Sequence, residues 1–154
     1  MTVIELIDKN AELFSKEIAL CDMETELSFK QVKEKSEQAA ACFQALNIGK
    51  GDPVAIMSQN TFDFVFSFFG ILKAGGIVVP VNHKLTALEV DYIIENSGSK
   101  LFLFDGSLAD VAGKLKGDIR KIAMDSSASG FESLGDAMDK APAFFPVEVQ
   151  EDDI

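Results

Sequence analysis

Leu72-Lys73-Ala74-Gly75-Gly76-Ile77-Val78-Val79-Pro80-Val81-Asn82 is the stretch that decides the fold. An apolar helix ends in a glycine pair, a short β-branched strand follows at once, and a proline closes it. Gly75 and Gly76 tolerate φ > 0, so the chain can turn sharply there. Ile77, Val78 and Val79 run without polar interruption, the pattern of a strand covered on both faces. The stretch predicts a helix-to-parallel-strand corner of an α/β domain.

Working outward, helix starts are legible as capping boxes, in which a hydroxyl accepts from the backbone amide three residues on and an acid or amide reaches back. Thr2-x-x-Glu5, Ser28-x-x-Gln31, Thr86-x-x-Glu89 and Ser129-x-x-Glu132 fit this pattern, with Asn60-x-x-Asp63 and Ser107-x-x-Asp110 as weaker versions. They predict helices near 3–14, 29–46, 61–74, 87–97, 108–116 and 131–139. Phe29, Val32, Ser36, Ala39, Ala40, Phe43 and Leu46 recur at helical spacing and give the second helix one packed face. Leu85 and Val90 form a candidate hydrophobic staple around Thr86.

Short apolar runs lie between the helices. Ile18–Cys21 and Leu27–Phe29 flank an acidic turn and predict a small antiparallel hairpin. Pro53–Met57, Ile77–Val81, Leu101–Phe104 and Lys121–Met124 alternate with helices. The fold class is therefore α/β: a parallel, Rossmann-like sheet with helices on both faces, plus the N-terminal β-hairpin at one edge. Residues 1–140 read as one domain, and residues 141–154, with two prolines and a run of acids, as a linker leaving it.

The 154 residues suffice for one ordinary domain with a core. A net charge of −11 argues against nucleic acid or an anionic membrane as partner. The apolar stretch 62–81 contains Asp63, Lys73 and a glycine pair, and does not read as a membrane span. The first residues carry acids inside their apolar run, unlike a signal peptide. Cys21 and Cys42 form no C-x-x-C pair. A reduced, cytoplasmic setting is expected.

Candidate chemistry is sparse. His83, the single histidine, has no neighbour at metal-ligand spacing, and a loop-packing role is favoured over a ligand or catalytic one. Gly49-Lys50-Gly51 fails the G-x-G-x-x-G spacing and precedes a strand, so it reads as a helix-to-strand loop. Ser58-Gln59-Asn60 follows a parallel strand, where open α/β sheets place ligands, but helix capping accounts for Asn60. The helix of Phe62, Phe64, Phe66, Phe68 and Phe69 is apolar nearly all round. It reads first as a buried core helix, and alternatively as a surface for another domain or subunit.

Taken in order, several segments resemble the adenylate-forming, AMP-binding superfamily, and acyl-CoA synthetases most. Leu27-Ser28-Phe29-Lys30-Gln31-Val32 is similar to the family's L-T-Y-x-E-L element. Asn47-Ile48-Gly49-Lys50-Gly51-Asp52-Pro53-Val54-Ala55-Ile56 resembles its G-v-x-x-G-D-x-V-a-i stretch. Gly70 to Gly76 with Val79-Pro80-Val81-Asn82 matches the next element almost position for position, and Leu85-Thr86-x-x-Glu89-x-x-Tyr92, Ser97 and Lys100 continue the likeness.

The resemblance implies the N-terminal subdomain of a carboxylic (fatty) acid–CoA ligase. In that family the carboxylate attacks the α-phosphate of ATP with Mg²⁺ offsetting charge, and CoA then displaces AMP. Full-length ligases of this kind imply ATP, Mg and CoA. The triphosphate loop, T-S-G-T-T-G-x-P-K-G, has no counterpart here, nor have the family's adenine, ribose, Mg and catalytic-lysine residues. No catalytic, cofactor-binding or metal-binding residue is assigned, and the chain is expected to bind no cofactor and to be inactive alone, with residues 141–154 leading toward the absent nucleotide-binding strand. Its expected partners are the remaining parent domains and further copies of itself. An adenylation domain that loads a carrier protein, and a stand-alone non-catalytic binding module, stay open as alternatives.

Overall fold

In the computed structural model, which describes residues 1–153, the glycine pair is where helix gives way to strand. Helix α3 (Phe62–Lys73) ends at Ala74, and strand β4 (Ile77–Val81) begins three residues later. Gly75 alone adopts positive φ, at 87°. Gly76 is needed for a different reason: a Cβ there would sit 2.9 Å from Ile71 Cγ2 and 3.1 Å from the Asp52 carbonyl.

The remaining elements follow the alternation in the sequence. Helix α1 (Val3–Leu13) precedes the hairpin of β1 (Ile18–Cys21) and β2 (Glu26–Ser28). Helix α2 (Phe29–Ala45) leads to β3 (Pro53–Met57). After β4 come α4 (Ala87–Ser97), β5 (Leu101–Phe104), a 3-10 turn over Gly106–Leu108 and α5 (Ala109–Lys114). Strand β6 (Arg120–Ala123), a short β7 (Glu132–Ser133) and α6 (Leu134–Asp139) complete the domain.

Five strands pair in parallel in the order β4-β3-β5-β6-β7. Strand alternation sorts their side chains into two cores. Val54, Ile56, Leu101, Leu103 and Ile122 pack against α2, α3 and α6, while Ala55, Met57, Phe102, Phe104 and Ala123 pack against α4 and α5. The sheet is thus covered on both faces, as its continuous apolar strands require.

Several expectations are corrected. Strand β4 is an edge strand and Ile77, Val78 and Val79 are only half-buried, because its outer side has no neighbour; Pro80 suits an edge, where a missing ladder donor costs nothing. The hairpin does not extend the main sheet; it forms its own two-stranded sheet against α2. Thr61, not Asn60, caps α3, accepting from the Phe64 amide at 3.1 Å. Ser107 does not cap a helix: its amide donates to Asp105 Oδ1 at 2.9 Å within the 3-10 turn. The box at Ser129 does not form. Residues 132–133 pair with β6 instead, and Ser133 caps the shorter α6 through the Asp136 amide at 3.4 Å.

Helix α3 is a core helix: Phe66, Ser67, Gly70, Ile71 and Lys73 are buried, and its other residues are half-buried. Lys73 is a charge deep in the structure, with Nζ 2.6 Å from Asp8 and 3.7 Å from Glu37, so it ties α1 and α2 to α3. Among the described residues, no helix is long and apolar enough to cross a membrane. Residues 141–153 form no helix or strand, yet Phe144 packs on the α2–α3 core and Phe145 bonds Gln44. Ile154, the last residue of the expected linker, lies outside the described residues.

Candidate functional site

The strand order creates a topological switch point. From β3 the chain passes through α3 to β4 on one side, and from β5 through α5 to β6 on the other. The loops after β3 and β5 therefore leave toward opposite faces, and a crevice opens between them at the carboxyl ends of the strands. Here it measures about 480 Å³ and is lined by Gln59, Asn60, Thr61, His83, Asp105 and Ser107.

Local chemistry places each group. Thr61 is held by its capping bond, which leaves Asn60 exposed in the crevice with no capping role. His83 sits at the tip of a turn after β4: Asn82 Oδ1 accepts from the Lys84 amide at 3.0 Å, and the Asn82 carbonyl from the Leu85 amide at 3.1 Å. Asp105 continues β5 by donating its amide to the Met57 carbonyl at 3.0 Å. Behind it, Asp125 accepts from the Gly106 amide at 2.8 Å and from the Ser127 amide and hydroxyl. Gly106 has no room for a Cβ, which would overlap Asp125 and Ser127.

Electrostatically this end of the sheet is acidic. Burial, then the neighbouring charges of Asp125 and Asp105, push the Asp63 carboxyl above its ordinary value, with Lys35 opposing. Burial also acts to raise Asp125, but its hydrogen bonds from Ser127 and Gly106 outweigh it and hold that carboxyl low. Among the described residues, no lysine or arginine lines the crevice. Amides, hydroxyls and an imidazole can orient a neutral or polar group there, but the lining does not fit a triphosphate, which needs basic side chains or a cradle of amides. Among the described residues no three His, Cys, Asp or Glu side chains converge as a metal site.

A larger cavity, about 590 Å³, lies between α4 and the segment before β6. Its Asp91 is already engaged, accepting from the Lys116 and Gly117 amides at 3.1–3.4 Å. Buried Cys42 is no nucleophile. Burial, with a smaller push from Glu132 against Arg120, raises its thiol to about 11. The Gly49–Gly51 loop is a helix-to-strand connection, with the Gly49 amide donating to Asp52 at 3.0 Å. The sequence singles out Asn60 and His83 separately and Ser107 only as a helix cap, and gives no sign of Asp105. Only strand order shows that the three loops meet.

A doubly wound α/β domain with a switch-point crevice defines a class. Comparison with known proteins places the chain within it: the chain belongs to the AMP-binding enzyme family, matching it over residues 7–154. A long-chain-fatty-acid–CoA ligase of Mycobacterium tuberculosis is 31% identical over 128 residues, covering 82% of this chain and 25% of the relative. A mycosubtilin synthase polypeptide of Bacillus subtilis is 30% identical over 109 residues, 71% of this chain and 4% of that protein. Among solved structures, the N-terminal domain of FACL13 from Mycobacterium tuberculosis superposes with a TM-score of 0.84 at 26% identity, covering 99% of this chain and 40% of that one. The chain thus spans a quarter or less of the length of these two curated relatives.

Proposed function

We propose that this chain is the N-terminal part of an ATP-dependent, AMP-forming carboxylic acid–CoA ligase, with a fatty acid as the substrate class. The observation that carries the reading is the family match from residue 7 to residue 154, in a chain whose five-stranded parallel sheet is doubly wound. ATP, Mg and CoA serve the parent protein. This chain contributes scaffold and one wall of the acyl or CoA region. It holds no catalytic, cofactor or metal residue of its own, and it is inactive alone. The acidic crevice without a basic side chain supports that inactivity. The two free cysteines favour a reducing, cytoplasmic parent.

The test is acid-dependent pyrophosphate release by the full-length parent with Mg-ATP across a series of carboxylic acids, followed by thioester detection. Pyrophosphate release followed by a CoA thioester is expected. Absence of acid-dependent release overturns the reading. A second reading, an adenylation domain loading a carrier protein, is favoured by the likeness to mycosubtilin synthase. It predicts a thioester on a phosphopantetheinyl carrier and none on free CoA. For the isolated chain, calorimetric titration with Mg-ATP is expected to show no binding tighter than about 10 μM, about −7 kcal/mol. Tighter binding would reveal a nucleotide site in these residues.

A further inference from the structure

The segment 141–153 has no regular ladder to hold it, yet it is anchored at two chemically different points. At the first, the Gln44 side-chain amide bonds both backbone groups of Phe145. Its Nε2 donates to the Phe145 carbonyl at 2.7 Å, and its Oε1 accepts from the Phe145 amide at 3.2 Å. Beside this pair Phe144 packs into the α2–α3 core. A neutral amide ring next to a half-buried phenyl group carries no net charge for salt to screen.

The second point is ionic and exposed. Lys50 Nζ lies 2.8 Å from Asp153, within the field of Glu148 and Asp152, and the N-terminal ammonium pairs with Glu151. Gln150 and Asp153 close a small turn, with the Gln150 amide donating to Asp153 Oδ2 at 2.7 Å and the Asp153 amide to the Gln150 carbonyl at 3.2 Å. Between the two points, Val147 lies over the glycine corner, with its Cγ1 only 3.1 Å from where a Gly75 Cβ would be. Two cavities, about 360 and 300 Å³, are walled by this segment together with α1 and α3.

We propose that residues 141–153 are a two-point strap, fixed at Phe144–Phe145 by Gln44 and releasable at Gln150–Asp153 through exposed charge pairs. Gln44 is its positioning residue. Opening the ionic end swings Val147–Asp153 off the Gly75 corner and α1 while the Gln44 end stays closed. This holds whatever reaction the parent performs.

Amide hydrogen exchange on the 154-residue chain, referenced to a free peptide of residues 141–153, tests it. Raising salt from about 0.1 to 1 M shortens the screening length from about 10 to 3 Å. The Gln150 and Asp153 amides are then expected to accelerate about threefold, the loss of a weak surface pair, with Phe145 unchanged. Lys50→Met is expected to do the same at low salt. Gln44→Leu is expected to accelerate Phe145 about tenfold, the loss of its two hydrogen bonds to the Gln44 amide, with Ile56 and Leu103 unchanged. The proposal is overturned if salt or Lys50→Met frees Phe145 along with Gln150, since the strap then moves as one piece. It is equally overturned if Gln44→Leu leaves Phe145 at its original rate, or if Ile56 and Leu103 accelerate in step with it. Exchange of all three tail amides at the free-peptide rate in the unaltered chain would also end it.

Discussion

At Gly70 α2 and α3 approach closely. A Cβ at this position would stand 2.7 Å from Ala39 Cβ and 3.1 Å from the Ala40 amide nitrogen. The run Ala39-Ala40-Ala41 is small so that the two helices can approach, and all three alanines are buried. Gly70→Ala would gain about 1 kcal/mol of helix propensity. Overpacking of a rigid contact typically costs about 1–3 kcal/mol, and both neighbours here are backbone or Cβ atoms that cannot rotate away. We expect a net loss of stability, read as a lower urea midpoint with unchanged slope. A rise in the midpoint would mean that the helices part at no cost.

Asp63 gives a residue-scale prediction with a defined sign. Its carboxyl is raised by burial and by Asp125 and Asp105, so the native state binds its proton more tightly than the unfolded chain does. Stability from this group therefore falls as pH rises above the unfolded carboxylate value near about 4, and the cost persists at neutral pH. Asp63→Asn is expected to raise the urea midpoint at pH 7, with the two proteins converging below about pH 4. Asp52 has the opposite sign. The Lys100 ammonium and then the Gly49 amide hold it low, so its stabilisation is present above the unfolded value and is lost on acidification through the folded one. Equal midpoints for Asp63→Asn and the unaltered chain at pH 7 would contradict the electrostatic account of the sheet's carboxyl edge.

At the scale of elements, helices with a self-contained signal were legible in the sequence. The Thr2 and Ser28 boxes form as read, and Glu89 accepts from both the amide and the hydroxyl of Thr86. The four apolar runs became parallel strands to within a residue at each end. What was not legible depends on long-range partners. The β-branched run of β4 looks the same in a central and an edge strand; only pairing order exposes its outer side. Glu132–Ser133 is too short and polar to announce a strand, and exists because β6 offers an open ladder. The crevice is hidden in sequence for the same reason, since Asn60, His83 and Asp105 come together only through the crossover. The α1–α3 contact follows the same rule, because Lys73 finds Asp8 across 65 residues. Removing one partner of a buried pair costs about 3–5 kcal/mol. Lys73→Ala should cost less than that but still release α1: it removes the ammonium with its buried stem, while Asp8 and Glu37, each about a third exposed, keep Lys33 at 3.9 and 3.8 Å. Asp8→Asn should cost less still, because Lys73 keeps Glu37. Urea midpoints of the two variants compare the costs, and proteolytic nicking near residue 14 reports α1 release. A larger loss for Asp8→Asn would show that the ammonium is not the hub.

The whole molecule presents apolar surface where the sequence did not point. The Phe-rich helix and the tail pair Phe144-Phe145 are the expected contributors to association; no residue of α3 is exposed and Phe144 packs on the core, but Phe145 is outward, 67% exposed. A further group of outward apolar residues is Val3, Leu6 and Leu13 of α1, followed by Phe14 and Ile18, while Met23, Leu88 and Tyr92 are exposed elsewhere. Those on α1 fall along one flank of the helix, beside the face of Ile4, Ile7 and Ala11 that meets the domain. A net charge of −11 opposes pairing of two copies, but repulsion between exposed charges is largely screened beyond about 8 Å at physiological salt. Apolar contact contributes about 25 cal/mol per Å² and is not screened. We therefore expect self-association that grows with protein concentration and with salt, driven by the α1 stripe. Sedimentation velocity at several salt concentrations measures it. Leu6→Glu with Leu13→Glu should restore a monomer, while Phe68→Leu, inside the core helix, should leave association unchanged. A chain that stays monomeric at high concentration and high salt would show that the α1 stripe is too narrow to bind a second copy.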